Sequence, residues 1–148
     1  MKNFKLLIIV IVLLMFGCSK PVSVEIKDVC SQPEGTKVII QGYISLPQMI
    51  DTIQISRSGK ITAVGYQLFM TTKADAASEE VKATFWTSDK GEPNKIKPLA
   101  RAYDLDDLLV YTDDGKEIPA GKLIKITGEV KPDEKYNCEI SVTKIEMP

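Results

Sequence analysis

Val38-Ile39-Ile40-Gln41-Gly42-Tyr43-Ile44 and Ile124-Lys125-Ile126-Thr127-Gly128-Glu129-Val130 share one pattern, apolar-x-apolar-x-Gly-x-apolar. Alternation with a period of two marks a β-strand with one buried face. A glycine inside such a strand marks a bulge, a sharp bend or a close approach of another backbone. The pattern occurs once near each end of the chain, so the two segments predict two strongly bent strands bracketing one domain. Outward from them, the same reading gives strands over 66–72, with Tyr66, Leu68 and Met70 on one face, and over 81–88, with Val81, Ala83 and Phe85 on one face. A last strand runs over 138–146, carrying Ile140, Val142 and Ile145. A brief strand at Val22, Val24 and Ile26 precedes them.

The intervals are less regular. Ile53 and Ile55 alternate before Ser58-Gly59, and Ile61 and Val64 follow, which predicts a hairpin within 46–64. The 73–80 stretch reads as a loop or one helical turn. Residues 98–107 read as a short helix, with Pro98 tolerated in its first turn. Leu108 to Thr112 reads as a strand running into Asp113-Asp114-Gly115-Lys116, a hairpin turn.

The chain has 148 residues, a net charge of −1 and no histidine. That length suits a single core. The mild acidity offers no attraction to a phosphate backbone, which argues against nucleic acid as a partner. The absence of histidine removes Ser-His-Asp and Cys-His catalysis and the usual imidazole zinc sites. Asp104, Asp106, Asp107, Asp113 and Asp114 are dense but lack the spacing of a calcium loop. Ser56-Arg57-Ser58-Gly59-Lys60 lacks the Ser-x-x-Lys spacing of a hydrolase pair and reads as a turn. The expectation is therefore no catalytic residue, no metal and no cofactor.

At the start, Lys2 and Lys5 precede Leu6 to Phe16, which carry no polar side chain; Gly17 and Cys18 follow. A bilayer span takes about 20 apolar residues, so the run is short for an anchor and fits a secretory signal. Gly17-Cys18 resembles the end of the lipobox of bacterial lipoproteins, with Met15 and Phe16 as departures. The resemblance implies a signal over 1–17, acylation of Cys18, a lipidated tether over 18–21 and a domain over 22–148. It also implies attachment to a membrane through the N-terminal lipid, in the cell envelope. Ser19 rather than Asp leans the address to the outer membrane, facing the periplasm or the cell surface. Two further cysteines, Cys30 and Cys138, form an even pair in an oxidising compartment and are a candidate disulfide; two separate buried thiols are the alternative.

Taken together, the strands describe an all-β domain, a small closed barrel of five to six strands with a short helix before the fourth main strand. Central glycines permit the tight coiling that so small a barrel needs. Val38-x-Ile40-x-Gly42-x-Ile44, Tyr66-Gln67-Leu68-Phe69, Leu123 to Val130 and Ile140-x-Val142-x-x-Ile145 carry a resemblance to the OB-fold, in particular to the tRNA-anticodon-binding-like group and its secreted members. The resemblance implies a ligand across the outer face of strands two and three. If Leu68 and Phe85 point inward, alternation puts Phe69, Lys82 and Trp86 on that face, with Tyr43 beside it on strand one. These four are the ligand-face candidates, an aromatic platform with a cation alongside. The function expected is a non-enzymatic binding module for an envelope protein, peptide or glycan. The alternatives are a nucleic-acid-binding OB domain and a small carboxylate-dependent hydrolase.

Overall fold

The computed structural model describes residues 20–74 and 81–148. The signal segment, Cys18, the start of the tether and most of the 73–80 stretch lie outside the described residues. Ten strands are present among them: β1 (Val22–Ser23), β2 (Lys37–Ser45), β3 (Asp51–Arg57), β4 (Lys60–Thr71), β5 (Val81–Trp86), β6 (Lys95–Ile96), β7 (Leu109–Tyr111), β8 (Glu117–Pro119), β9 (Ile124–Asp133) and β10 (Asn137–Glu146).

The long strands close on themselves. The main sheet runs β1-β2-β9-β10-β5-β4-β3, and β2 also pairs with β4. The ring β2-β4-β5-β10-β9 is therefore a five-stranded barrel, antiparallel throughout except for the parallel β5·β10 pair. With these five numbered one to five in chain order, the circuit is 1-2-3-5-4-1. That is OB-fold topology, the architecture expected of the sequence.

Closure depends on one strand serving two neighbours. β2 pairs with β9 through Lys37 to Gly42 and with β4 through Tyr43 to Ser45. Gly42 sits at the switch. A Cβ there would stand 2.7 Å from the Thr71 carbonyl oxygen and 2.8 Å from Ile26 Cδ1. Gly128 is its counterpart on β9: a Cβ would meet Ile140 Cγ2 and lie 2.6 Å from the Ser141 carbonyl oxygen. Both central glycines are thus places where backbones approach too closely for any side chain. The register of β10 slips between Val142 and Lys144, directly beside Gly128.

Alternation fills the barrel. Val38, Ile40, Ile44, Leu68, Met70, Ala83, Phe85, Ile126, Ile140 and Ile145 are buried, one face from each strand. A 3-10 turn at Ile26–Ser31, absent from the sequence reading, adds Ile26 and Val29 to this core. Cys30 in that turn is bonded to Cys138 at the head of β10, with Cα atoms 5.4 Å apart, so the pairing expected of the two cysteines is present.

The segment between β5 and β9 departs from expectation in part: the strand expected over Leu108 to Thr112 and the hairpin turn after it are present as β7 and β8, which pair antiparallel. Of the short helix over 98–107 only a 3-10 turn at Leu105–Asp107 forms. The rest is irregular and held by long-range bonds: Leu99 N–H donates to the Tyr66 hydroxyl at 3.3 Å, and the Tyr103 hydroxyl donates to the Pro47 and Gln48 carbonyls at 3.1 and 3.3 Å. A small sheet, β6-β7-β8, flanks that turn and contributes Ile96, Val110 and Ile118 to the core. It is tied to β10 by Ile145, whose N–H donates to Asn94 Oδ1 at 2.8 Å and whose carbonyl accepts from Asp113 N–H at 2.8 Å.

The expected hairpin is β3–β4. Ser58 and Gly59 both have positive φ, +53° and +75°, the two-residue turn whose twist suits a hairpin. β4 begins six residues earlier than the sequence reading placed it, and β3 lies alongside that extension as the last strand of the sheet.

Candidate functional site

The register fixes which side chains share the outer face of β4 and β5. Phe69 is opposite Lys82, Gln67 opposite Thr84 and Gly65 opposite Trp86; on the other flank Asp51 is opposite Gln67 and Ile53 opposite Gly65. Leu68 and Phe85 point inward as expected. Phe69, Lys82 and Trp86 therefore share the outer face, and Tyr43, opposite Thr71, joins it from β2.

They do not form one platform. Tyr43 stands at the Thr71 end of β4 and Trp86 at the Gly65 end, about 20 Å apart along the strand at ~3.3 Å per residue. Trp86 lies over Gly65, where a Cβ would come within 3.2 Å of its Cε3 atom. It is a half-buried packing group at the root of the β3–β4 hairpin. Alternation assigns a residue to a face but not to a place along it, so the grouping of Tyr43 with Trp86 fails on register.

The structure gathers a different set around Phe69. The turn from β9 to β10 brings Tyr136 over the face, its ring centroid 5.2 Å from that of Phe69 and inclined at 71°, an edge-to-face contact. The Lys82 and Lys135 ammonium groups lie 5.3 and 4.9 Å from the Tyr136 centroid, within cation–π range. Lys82 is buried, with 7% of its surface exposed, where an open cation beside a platform was expected. It forms an ion pair with Asp133 and lies 3.9 Å from Glu139 Oε2. Glu139 also accepts from Gln67 Nε2 at 3.0 Å and from Thr84 Oγ1 at 3.3 Å. Asp133 accepts from the backbone N–H groups of Lys135 and Tyr136 at 2.9 and 2.7 Å, which shapes the turn. Burial pushes the Asp133 carboxyl up, but the Lys82 ammonium and those two N–H groups outweigh it and hold the group below its ordinary pKa. The Lys135 ammonium is held above its own, first by the Tyr136 side chain and more weakly by Asp51.

These groups border a cleft of about 410 Å³. Gln67, Phe69 and Lys82 form its floor, Lys135 and Tyr136 one wall, and Pro47 to Met49 with Asp51 the other. A larger hollow of about 540 Å³ lies on the other side of the 46–48 loop, among Arg101, Tyr103 and Asp104. Apart from Ser45 at the end of β2 and Leu105 in the 3-10 turn, its lining comes from irregular segments, whereas strands form the floor of the smaller cleft, so the smaller cleft is the better-defined site. Among the described residues no cluster of histidine, cysteine or acidic side chains is arranged to hold a metal ion, and no helix is long and apolar enough to cross a membrane.

No family model matches this chain, and no curated protein does. Among solved structures it is similar to the second OB-fold domain of replication protein A from Methanococcus maripaludis, determined in solution by NMR. Identity is 16%, coverage is 85% of this chain and 94% of that one, and the TM-score is 0.44.

Proposed function

We propose that this chain is a lipid-anchored binding module of a bacterial cell envelope, acting through the cleft between the outer face of β4–β5 and the β9–β10 turn. The observation that carries the reading is the place of the cleft: it opens on strands two and three of the barrel between the two loops that flank OB-fold ligand sites in general. The address rests on Lys2, Lys5, the apolar run to Phe16 and Gly17-Cys18. The Cys30–Cys138 disulfide supports it, since such bonds persist outside the cytoplasm. Cys18 would carry the acyl chains, and several chains together anchor firmly.

The charges at the cleft favour a ligand of little net charge. Lys82 is more than offset by Asp133 and Glu139, which leaves one negative charge, and the remaining pair at the rim, Lys135 and Asp51, are of opposite sign. Cations already lie near the Tyr136 ring, which leaves Phe69 as the apolar floor. A short peptide or a glycan suits such a site. It would set a ring or aliphatic group on Phe69 and place polar groups against Lys135, Asp51 and the backbone of the 47–49 loop.

A second reading, single-stranded nucleic acid, is favoured by the fold and by Phe69, because aromatic faces stack on bases at about 1–3 kcal/mol each. The charge balance weighs against it. The hydrolase reading needs two free carboxylates facing one cavity. Asp133 and Glu139 share the Lys82 ammonium instead, and Asp51 is the acid that lines the cleft.

Calorimetric titration of the chain with peptidoglycan-type glycans, short peptides and single-stranded DNA at low salt separates these readings. Binding of a glycan or peptide, lost in Phe69→Ala while the variant still melts cooperatively, is the expected result. Micromolar binding of the oligonucleotide, abolished by the same substitution, would install the second reading in its place.

A further inference from the structure

The hairpin that widens β4 ends in an open strand. β3 is the last member of the sheet, and its far side has no neighbour among the described residues. The direction of its bonding groups can be read from its partner. The Val64 carbonyl accepts from Thr87 N–H at 2.9 Å and from Thr87 Oγ1 at 3.0 Å, so the main-chain groups of Val64 face β5. Gln54, opposite Val64, therefore turns its own N–H and C=O away from β4. One residue on, the Ile55 carbonyl accepts from Thr62 Oγ1 at 3.0 Å and faces β4. Strand alternation then directs the main-chain groups of Thr52, Gln54 and Ser56 outward.

The sequence of this edge is its own complement. Asp51-Thr52-Ile53-Gln54-Ile55-Ser56-Arg57, laid antiparallel to a second copy with Gln54 opposite Gln54, sets Thr52 against Ser56, Ile53 against Ile55 and Asp51 against Arg57. We propose that β3 is a self-recognition edge through which two copies of this chain pair antiparallel about a twofold axis at Gln54.

Three independent features meet in that one register. The outward main-chain groups fall on the Gln54:Gln54 and Thr52:Ser56 positions, where an antiparallel ladder exchanges its hydrogen bonds. The intervening positions, where side chains approach most closely, receive the isoleucine pairs and the opposite charges, the combinations that stabilise a cross-strand pair. Finally, the edge is weakly protected: Thr52 to Ser56 include no charge and no proline, and its one irregularity is the register slip between Ile55 and Ser56. Ile55 is 48% exposed, and Arg57 lies opposite Lys60 in its own hairpin, a like-charge pair that an approaching Asp51 relieves.

The twofold axis stands perpendicular to the joined sheets, so both copies present the same face. The two clefts then open on one side, and Arg57 of the second copy comes to the margin of the cleft beside Asp51. That last consequence rests on the cleft reading; the pairing itself does not. Confinement to a membrane surface, if the anchor is as proposed, raises the local concentration and lets a short interface suffice.

Disulfide trapping in cells producing the full chain tests the register. Paired Gln54 Cα atoms stand about 5.5 Å apart, within the span of a disulfide. Gln54→Cys is expected to yield a covalent homodimer on mild oxidation, well above the wild-type chain. Thr52→Cys alone yields none, because its own counterpart lies several residues away, while Thr52→Cys with Ser56→Cys yields dimer again. In the Gln54→Cys background, Asp51→Arg lowers trapping on the order of tenfold, the response to roughly 1.4 kcal/mol. Adding Arg57→Asp restores it. Absence of the Gln54→Cys dimer overturns the proposal. So does equal trapping by Thr52→Cys, or trapping of Gln54→Cys onto a different protein, which would make the edge a docking strand for another chain. Calorimetry of the cleft ligand on Arg57→Asp, which breaks the same charge pair at a residue that does not line its own chain's cleft, reads separately, since loss of pairing without loss of ligand affinity leaves the cleft intact.

Discussion

At the Phe69 end of the outer face, a buried ammonium, two carboxylates and a disulfide converge on one turn: Lys82 joins Asp133 to Glu139, and Cys138 ties the start of β10 to the entry of the domain. At the Gly65 end, the β3–β4 hairpin stands on its own backbone ladder, with Trp86 laid over Gly65 and Ile53 and Ile55 in partial contact with solvent. The same two strands run through both regions. The difference lies in what each can afford to lose. A site built from buried charges holds one geometry, because every alternative leaves an ion unpaired. An edge strand with few buried contacts opens cheaply and accepts a new neighbour. The turn end is thus made to hold a fixed cleft, and the hairpin end to meet another strand.

The sharpest way to break this contrast is to remove a cation from each end. Lys82→Ala leaves Asp133 and Glu139, both mostly buried, without their counter-ion and is expected to cost about 3–5 kcal/mol. Arg57→Ala, on an exposed strand, is expected to stay within about 0.5 kcal/mol. Urea denaturation of the two variants measures both, and equal losses would show that the Lys82 cluster does not brace the turn. Next in size is the disulfide. Replacing Cys30 and Cys138 together by Ser releases a closure spanning 108 residues and is expected to cost about 2–4 kcal/mol. Amide hydrogen exchange sharpens the point. In that double variant, protection is expected to fall at the Glu134 to Asn137 turn and around Ile26 to Ser31, with β3 unchanged. A uniform fall across both ends would mean that the bond stabilises the domain without specially holding the cleft.

How far the sequence foretells this division depends on the length of the element. β2, β5, β9 and β10 are legible because each long strand shows alternation, and Gly42 and Gly128 break it where backbones collide. β7 and the turn into β8 are legible from Leu108 to Thr112 and Asp113-Asp114-Gly115-Lys116, whereas β6 has two residues, too few for a period to register, and the helix read over 98–107 reduces to a 3-10 turn. Tyr66, Pro47 and Gln48 bind that segment across the fold, and local preference gives way. The face of Phe69 and Lys82 is legible for the same reason as the strands. Tyr136 was not, because it stands in a turn that reads only as polar; the one available hint was an aromatic flanked by Lys135 and Asn137 between the last two strands. Lys82 likewise reads as solvated until Asp133 and Glu139 are placed beside it by the β9–β10 hairpin and the parallel β5·β10 register.

A smaller effect separates the aromatic groups. Trp86 is half-buried over Gly65, so Trp86→Ala is expected to cost roughly 1–3 kcal/mol, less than the ~3–5 of a fully buried aromatic, while leaving the affinity of a cleft ligand unchanged. Phe69→Ala is expected to reduce that affinity. Calorimetry beside thermal melts of both variants checks the pair. Loss of ligand in Trp86→Ala would extend the site along the whole face and erase the distinction between its ends.

The smallest expected effect is one of acidity, and it belongs to the turn end. Asp133 has its pKa held below the ordinary 3.8 by Lys82 and by two backbone N–H groups, against the opposing pull of burial. A carboxylate depressed in the folded state contributes stability in full above its unfolded pKa, and that stability disappears as pH falls through the folded value. The wild-type chain is therefore expected to lose stability below about pH 4, beginning at the β9–β10 turn. Asp133→Asn removes the titrating group and is expected to flatten this part of the profile, at the cost of a lower plateau at neutral pH because Lys82 loses its nearest counter-charge. Melting curves from pH 3 to pH 7, with Tyr136 ring resonances followed by NMR, distinguish the local from the global response. If Asp133→Asn shows the same acid slope as the wild type, the acid-sensitive contacts lie among the exposed pairs elsewhere, and the turn is held chiefly by its disulfide.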